Sequence, residues 1–359
     1  MSADGIKLLK TPVLDKSKWM QLPRDVIIGH DVLAQLPKVC EDLQVSGSAL
    51  VFSGKGTMDV AGSQVLSLVR EVMDADLFLV DTITPEVIAE AEEAGAGVDV
   101  FIGVGGGRVI DTAKIVSYNC CRPFISIPTA ASHDGIASSR ASVPVRGGSV
   151  SLEANPPIAL IADTGIIAAA PHRLLAAGCA DVISNYTAIL DWELSHRLKG
   201  EPVSEYAIAL SKMTAEIISK NADLIKPHSE ESAWTVIKAL LSSGVAMSIA
   251  GSSRPASGGE HKFSHALDQI APGKGLHGEQ CGIGSIITMY LHGGDWRGIR
   301  TSLKKIGAPT TPKEMGIDDE TAARALVLAH TIRPERFTIL DMGVTEEVAE
   351  ELIAMLYEE

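Results

Sequence analysis

In the first half of the chain, short apolar runs alternate with segments that carry apolar residues at helical spacing. Strands separated by helices pair in parallel, and helices then cover both faces of the sheet. This alternation predicts an α/β domain with a parallel sheet. The strand-like runs are DVIIG (25–29), SALVFSG (48–54), DLFLVD (76–81), VDVFIGVGGG (98–107) and FISIPT (124–129).

The second half of the chain is predicted to be helical almost throughout. IALIADTGII (158–167) is predicted as one further strand, and ASVPVRGGSVSLE (141–153) as a hairpin around Gly147-Gly148. Beyond Pro171, apolar residues recur at i, i+3 and i+4. The segments with this spacing are 172–198, 203–225, 231–251 and 320–358. We therefore predict two domains, an α/β domain over 1–168 and an all-α domain over 169–359.

Composition excludes several classes of protein. The chain has 359 residues, of which 46% are hydrophobic and 21% charged, a balance typical of soluble globular domains. A net charge of −14 argues against a nucleic-acid partner. The five cysteines are scattered without a CxxC pair, so neither a disulfide framework nor a zinc ribbon is expected. The N-terminus lacks a signal-peptide pattern and no run approaches a membrane span, so we expect a cytoplasmic protein without membrane insertion.

The segment FIGVGGGRVIDTAK (101–114) joins a strand to a helix through glycines. Glycines allow the backbone to approach a pyrophosphate, and the N–H groups at a helix start favour its charge. Gly103 and Gly105 match the first two positions of GxGxxG, but Arg108 stands at the third. The motif indicates a dinucleotide site, although a tight turn without a ligand has the same pattern.

The segment SIPTAASHDGIASSR (126–140) follows the next predicted strand. Its loop should leave the sheet at the same carboxyl edge, where open α/β sheets bind ligands. Thr129, Ser132 and Ser138 offer hydroxyl donors for ribose and pyrophosphate, and His133 and Asp134 lie beside them. Each hydroxyl alone is equally typical of a turn.

Three of the ten histidines lie in GGEHKFSHALDQIAPGKGLHGEQCGIG (258–284). His261 and His265 are one helical turn apart, and His277 follows a Pro-Gly bend. Asp181 in GCADVISN (178–185) is expected in an apolar setting near a helix start, either as a cap or as a metal ligand. Two histidines and a carboxylate leave open positions on a divalent ion, as catalytic sites require. Spacing does not choose which histidines bind, and each is also typical of a polar core residue.

Five segments between residues 103 and 284 carry a family resemblance: GVGGGRVIDTAK, SIPTAASHDGIASSRAS, GCADVISNYTAILDW, SGGEHKFSHALD and LHGEQCGIG. Together they resemble the iron-containing alcohol dehydrogenase and dehydroquinate synthase-like superfamily, and most closely its archaeal-type sn-glycerol-1-phosphate dehydrogenases. The resemblance implies a Rossmann-like N-terminal domain, an all-α domain for metal and substrate, and an active site in the cleft between them. The implied reaction is the NAD(P)H- and zinc-dependent, reversible reduction of dihydroxyacetone phosphate to sn-glycerol 1-phosphate for archaeal membrane lipids, by a homo-oligomer.

The resemblance also implies roles for individual residues. Asp181, His261 and His277 match the zinc ligands, Asp134 and His265 match catalytic positions, and Asp134, Asp181 and His265 match substrate contacts. Since imidazole titrates near neutral pH, we expect His265 to pass a proton toward solvent. The nucleotide contacts match Gly105, Gly106, Gly107, Arg108, Val109, Ile110, Asp111, Thr129, Ala130, Ala131, Ser132 and Ser138.

Several questions stay open at this point. The second strand is followed by no acid before Asp59, and Lys55 suits a 2′-phosphate, so we predict that NADPH serves at least as well as NADH. The candidates for the substrate phosphate are Arg140, Ser142, Arg254, Lys262 and Lys274. The alternative functions are a glycerol dehydrogenase for unphosphorylated polyols, a dehydroquinate synthase-like lyase and a non-catalytic binding protein.

Overall fold

The computed structural model describes residues 20–145 and 148–358, and the side chains of residues 144, 145 and 148–150 lie outside the description. Six strands form a parallel sheet in the order β1-β8-β5-β4-β2-β3, and β6 pairs with β7 in an antiparallel hairpin. The strands are β1 (Asp25–Gly29), β2 (Ser48–Ser53), β3 (Asp74–Leu79), β4 (Val100–Gly105), β5 (Phe124–Pro128), β6 (Arg140–Val145), β7 (Gly148–Glu153) and β8 (Ala159–Asp163).

Helices fill the connections and nearly all of the chain after β8. They are α1 (Leu36–Asp42), α2 (Lys55–Thr57), α3 (Ser63–Arg70), α4 (Pro85–Ala94), α5 (Gly107–Asn119), α6 (Thr164–Ala169), α7 (His172–Ile183), α8 (Asn185–Lys199), α9 (Glu205–Lys220), α10 (Glu230–Ala250), α11 (Gly259–Ile270), α12 (His277–Leu291), α13 (Trp296–Ile306), α14 (Asp319–Leu328) and α15 (Glu346–Met355). The shorter turns include 3-10 segments at Asp134–Ile136, Arg254–Ala256 and Ile339–Met342.

The central strands of the sheet are buried on both faces. Every residue of β4 and of β5 is buried, which explains why their sequences are continuous apolar runs without alternation. The two strands are parallel neighbours, and Gly105 at the end of β4 lies opposite Pro128 at the end of β5. The loops after β4 and β5 therefore leave the sheet side by side. The predicted fold class, a Rossmann-like parallel sheet followed by helices, is confirmed.

Some predicted element bounds are wrong. The eighth strand ends at Asp163 and not at 167, because the Asp163 carboxylate accepts hydrogen bonds from the N–H groups of Gly165 and Ile166 (3.0 and 3.2 Å) and starts α6. The long helical segment predicted over 320–358 is interrupted between α14 and α15. The hairpin β6–β7 is present, but its predicted turn residues Arg146 and Gly147 lie outside the described residues.

The position of Asp181 within its helix also differs from the prediction. Helix α7 begins at His172, directly after Pro171, so Asp181 stands near the end of the helix and not in its first turns. A cap at the helix start is therefore excluded for this carboxylate. Its burial needs another explanation.

The largest apolar cluster joins the sheet to the helices that follow it. Ala131 and Leu160 from the sheet half pack with side chains that extend as far as Leu356. One helix, Glu230–Ala250, is apolar and long enough to span a membrane, against the expectation from sequence, but 61% of its most apolar window is buried inside the protein. That burial is typical of a core helix. The domain division at residue 168 stays a prediction, although the last strand of the sheet ends close to it, at Asp163.

Candidate metal and nucleotide site

Four side chains from three helices converge on one point. Asp181 of α7, His261 of α11, and His277 and Cys281 of α12 place one ligand atom each within 4.8 Å of the others. Among the described residues, this is the one such group of histidine, cysteine and acidic side chains. Carboxylate, imidazole and thiolate are the ligand types that zinc prefers.

Close helix packing makes this convergence possible. A Cβ on Gly278 would lie 2.0 Å from the carbonyl oxygen of Ala177, so only glycine lets the start of α12 touch α7. A Cβ on Gly178 would lie 2.1 Å from the carbonyl oxygen of Ala131 in the loop after β5. Gly278 therefore allows α12 to pack directly on α7, and Gly178 allows α7 to pack directly on the loop after β5.

Neighbouring polar groups orient the two histidine rings. Nδ1 of His261 lies 3.1 Å from the carboxylate of the buried Glu260, and Nδ1 of His277 lies 3.1 Å from the hydroxyl of Ser264. The Nε2 atoms of His261 and His277 lie 3.9 and 3.8 Å from Oδ1 of Asp181. Such outer partners fix imidazole rings at metal sites. The arrangement fits a divalent cation between the Nε2 atoms and the Asp181 carboxylate.

The Asp181 carboxylate lies beside a second acid. Its Oδ2 accepts a hydrogen bond from the backbone N–H of Asp134 (2.9 Å), and the Asp134 carboxylate accepts one from the hydroxyl of Ser243 (2.9 Å). Burial, together with the Asp134 carboxylate, raises the pKa of Asp181 to about 7, and burial raises the pKa of Asp134. Two acids in this setting are suited to a bound cation, which would hold Asp181 ionised.

His265 lies next to the cluster without belonging to it. Its ring centroid is 6.0 Å from that of His277, and its buried Nδ1 has no hydrogen-bond partner among the described residues. Burial, helped by the nearby Arg333 guanidinium, lowers the pKa of His265 to about 3. Burial therefore favours the neutral form of this imidazole, and proton transfer through His265 stays a prediction. His265 offers a neutral ring nitrogen to a ligand.

A cavity connects the cluster to the loop after β5 and to the hairpin. Its lining includes His261, His265 and His277, together with Asp134 and Asp111. Two guanidinium groups, of Arg140 and Arg333, line the same cavity. Of these two, sequence analysis proposed only Arg140.

Of the other predicted phosphate ligands, two are paired elsewhere, one lies outside this cavity and one lines it. Arg254 is 3% exposed and donates from Nε to the Glu201 carboxylate at 2.8 Å. The Lys262 ammonium donates to both oxygens of Asp341 at 2.8 Å. Lys274 is exposed and absent from the lining, whereas Ser142 lines the cavity. Arg254 and Lys262 are therefore neutralised within the fold.

The predicted nucleotide residues meet at the carboxyl edge of the sheet. Gly106 precedes α5 as its N-cap, and the Thr129 N–H donates to the carbonyl oxygen of Gly105 (3.0 Å). A Cβ on Gly106 would meet no atom within 4 Å, so open space faces this residue at the helix start. Gly107 and Arg108 begin the helix, and the loop continues through Ala130, Ala131 and Ser132. This edge is where the sequence places a pyrophosphate.

Other predicted nucleotide residues have contacts within the protein. The side chains of Val109 and Ile110 pack in the apolar cluster beneath the helix, so only their backbones are available to a ligand. Asp111 accepts a hydrogen bond from the Ser142 N–H (3.1 Å), and Ser138 donates to the carbonyl oxygen of Arg140 (3.4 Å). Asp111 and Ser138 therefore hold the hairpin and its approach.

The turn after β2 lies beside the glycine turn. A Cβ on Gly105 would lie 3.2 Å from the hydroxyl of Thr57, two residues after Lys55. Lys55 donates to the Asp81 carboxylate at 2.7 Å, and both side chains are exposed. Arg108 donates to the carbonyl oxygen of Asp81 (3.0 Å). Lys55, the predicted ligand of a 2′-phosphate, thus lies near the glycine turn. The Asp81 carboxylate beside it was not expected from the sequence spacing.

Three residues of this site were not predicted from the sequence. Cys281 is four residues after His277 on one helix, and this spacing was available as an indication of a shared face. Glu260 directly precedes His261, but nothing in its sequence context predicts that its carboxylate turns back to the ring. Arg333 belongs to no recognised motif and approaches the cavity from the segment after α14.

The chain is similar to known enzymes over its whole length. The chain is 70% identical to the glycerol-1-phosphate dehydrogenase (NAD(P)+) of Methanosphaerula palustris, over 100% of both chains. It is 72% identical to the enzyme of the same name from Methanoregula boonei, over 99% of each chain. The model of the iron-containing alcohol dehydrogenase family matches residues 27–171.

A solved structure has the same fold at much lower identity. The glycerol dehydrogenase from Schizosaccharomyces pombe superposes with a TM-score of 0.79 and 18% sequence identity, covering 94% of this chain and 90% of that one. At this identity the likeness concerns the fold alone. It agrees with the parallel sheet and the helical half described above.

Proposed function

Since the chain belongs to the glycerol-1-phosphate dehydrogenase family, we propose that it reduces dihydroxyacetone phosphate reversibly to sn-glycerol 1-phosphate with NAD(P)H. The chain is an NAD(P)-dependent oxidoreductase with a metal centre, and its product is a phosphorylated glycerol backbone for lipids. The competing activity on unphosphorylated polyols is named in relatives of the fold at 21% identity or less.

One chain of contacts carries this proposal, because it links the nucleotide turn to the metal cluster. A Cβ on Gly107 would lie 2.2 Å from Nε2 of His133, so the helix start touches the loop after β5. The next residue, Asp134, donates its N–H to Asp181 in the cluster. A nicotinamide bound at the sheet edge and a ketone bound at the metal would share this cavity.

Each residue then has a task in the reaction. Asp181, His261 and His277 would hold a zinc ion, whose chemistry when bound is Lewis-acid polarisation of the ketone, and bound NAD(P)H would supply the hydride. His265 lines the cavity and would accept a hydrogen bond from a substrate hydroxyl, and Asp134 would orient the substrate while Ser243 holds the Asp134 carboxylate.

Further proposals concern the setting of the enzyme. We infer that residues 1–168 bind the dinucleotide and that residues 169–359 bind metal and substrate. Buried Glu230–Ala250 and the net charge of −14 support a cytoplasmic enzyme without membrane insertion or a nucleic-acid partner. We also infer a homo-oligomer, on the family resemblance.

The decisive experiment follows NAD(P)H oxidation with dihydroxyacetone phosphate, before and after a chelator and after zinc is restored. We expect turnover that the chelator abolishes and zinc recovers. Equal or faster turnover of dihydroxyacetone would instead assign a polyol dehydrogenase. Phosphate release without net NAD(P)H consumption would assign a lyase. Zinc binding without any turnover would leave only a binding protein.

A further inference from the structure

The cavity contains two guanidinium groups that form no ion pair with any described residue, together with the carboxylates of Asp111 and Asp134. Arg140 and Arg333 line the cavity, and the half-buried Arg336 lies close enough for the charges of Arg333, Arg254 and Arg140 to act on it. Burial and these guanidinium groups lower the pKa of Arg336 to about 9. In a chain of net charge −14, a buried group of like charges is unusual.

Two members of this group are committed to the fold. Arg254 is paired with Glu201. Arg336 donates from Nη1 to the carbonyl oxygen of Ser257 and from Nη2 to the hydroxyl of Ser253, at 2.8 and 2.9 Å. Arg336 therefore supports the cavity wall to which both serines belong.

Arg140 is held in place with donors to spare. Its Nε donates to the hydroxyl of Ser151 (3.2 Å) and its Nη2 to the Ser151 carbonyl oxygen (2.8 Å). Among the described residues, no carboxylate lies within ion-pair distance of Arg140. The hairpin thus fixes the guanidinium without an ion pair, and the Glu153 carboxylate opposite it acts on its charge only at longer range.

Arg333 is also without an ion pair in the described part of the chain, and its backbone is strained. Its φ is +47°, a left-handed conformation that non-glycine residues seldom adopt, and Pro334 follows it. Such strain is retained where surrounding structure imposes it, often at ligand sites.

We propose that Arg140 and Arg333 form the subsite for the phosphate group of the substrate, in the cavity that holds the metal cluster. Guanidinium groups bind phosphate through paired, charge-assisted hydrogen bonds. A phosphate here would neutralise the two cations that the fold leaves unpaired. This inference rests on the proposed function, and it names the residues that select the phosphorylated ketone.

The test compares Arg333→Gln and Arg140→Gln with Arg324→Gln, which changes an exposed arginine of α14. For each cavity variant we expect kcat/KM with dihydroxyacetone phosphate to fall on the order of 10- to 100-fold. The ratio of kcat/KM for dihydroxyacetone phosphate to kcat/KM for dihydroxyacetone should fall in both cavity variants and stay at the wild-type value in Arg324→Gln. The dissociation constant of inorganic phosphate, measured by calorimetry on the zinc-loaded enzyme, should rise by a similar factor.

Arg333→Gly separates loss of the cation from loss of folding. Glycine adopts a φ of +47° freely, so this variant should fold and bind zinc as the wild type does while losing the preference for the phosphorylated ketone. The inference is overturned if both cavity variants keep wild-type phosphate affinity and substrate preference. A wild type that binds inorganic phosphate through these arginines but does not reduce dihydroxyacetone phosphate would contradict only the proposed function.

Discussion

The carboxylate of Asp181 faces the loop after β5 with one oxygen and two histidines with the other. Oδ2 accepts the backbone N–H of Asp134 at 2.9 Å, while Oδ1 faces Nε2 of His261 and of His277 at 3.9 and 3.8 Å. One side chain therefore ties the loop after β5 to the metal cluster. Because Asp181 contacts both, we expect a metal ion bound at the cluster to affect the position of the loop after β5, which approaches the nucleotide turn.

The first prediction separates the metal ligands from the substrate contact. His261→Ala and His277→Ala should lose bound zinc, because each removes one of three ligands. His265→Ala should keep zinc and lose turnover, because His265 lies outside the cluster. Metal content by elemental analysis, with NAD(P)H oxidation, measures both effects. Full zinc in His261→Ala would contradict the assignment.

The second prediction concerns two glycines, Gly106, which faces open space, and Gly278, which is in close contact with a neighbouring helix. Gly106→Ala adds a Cβ that meets no protein atom within 4 Å, so stability should be unchanged while KM for NAD(P)H rises. Gly278→Ala places a Cβ 2.0 Å from the Ala177 carbonyl oxygen and should destabilise the fold by about 1–3 kcal/mol or more. Urea unfolding and steady-state kinetics distinguish them. An unchanged KM for NAD(P)H in Gly106→Ala would contradict binding of the pyrophosphate at this turn.

The third prediction addresses the choice of nucleotide. Lys55→Ala should raise KM for NADPH more than KM for NADH, because an ammonium beside the glycine turn attracts a 2′-phosphate. Lys38→Ala, in the exposed Lys38–Asp42 pair on α1, is the matched control and should change neither value. An equal effect of Lys55→Ala on both nucleotides would assign Lys55 to its pair with Asp81 alone.

The fourth prediction is a pH dependence of stability. Burial raises the pKa of Glu201, but hydrogen bonds from Arg254 and Ser195 lower it more, so the net pKa lies below the usual 4.5. The stabilisation is present above pH 4.5 and is lost as pH falls through the folded-state pKa.

Glu201→Gln should therefore lower the free energy of unfolding at pH 7 by about 3 kcal/mol, because it leaves Arg254 buried and unpaired. The difference from the wild type should narrow as pH falls below 4.5. Urea unfolding at several pH values measures this. A difference that is constant with pH would show that the lost interaction is not ionic.

Sequence periodicity predicted the sheet well because its central strands are buried on both faces. The bounds of β1 matched the prediction, and those of β2, β4 and β5 differed by no more than two residues at either end. The error at β8 came from an apolar run that continues through a helix cap. Asp163 ends the strand by capping, although Ile166 and Ile167 extend the apolar pattern.

The residue types of the site were visible in the sequence as a glycine turn and a group of histidines, although each pattern is also typical of a tight turn or of polar core residues. Their grouping was not, because it depends on how α7, α11 and α12 pack. Family resemblance selected Asp181, His261 and His277, whereas spacing left three histidines equivalent.

The amino-acid sequence by itself determined the succession of strands and helices along the chain, because the periodicity of apolar residues is a local property of the chain. Only the tertiary structure decided which charges remain available. In the sequence, Arg254 and Lys262 cannot be distinguished from Arg140 and Arg333 as candidate phosphate ligands. In the structure, Arg254 forms an ion pair with Glu201 and Lys262 forms one with Asp341. Whether a charge is compensated depends on partners that are distant in sequence, and for the Lys262–Asp341 pair that separation is 79 residues.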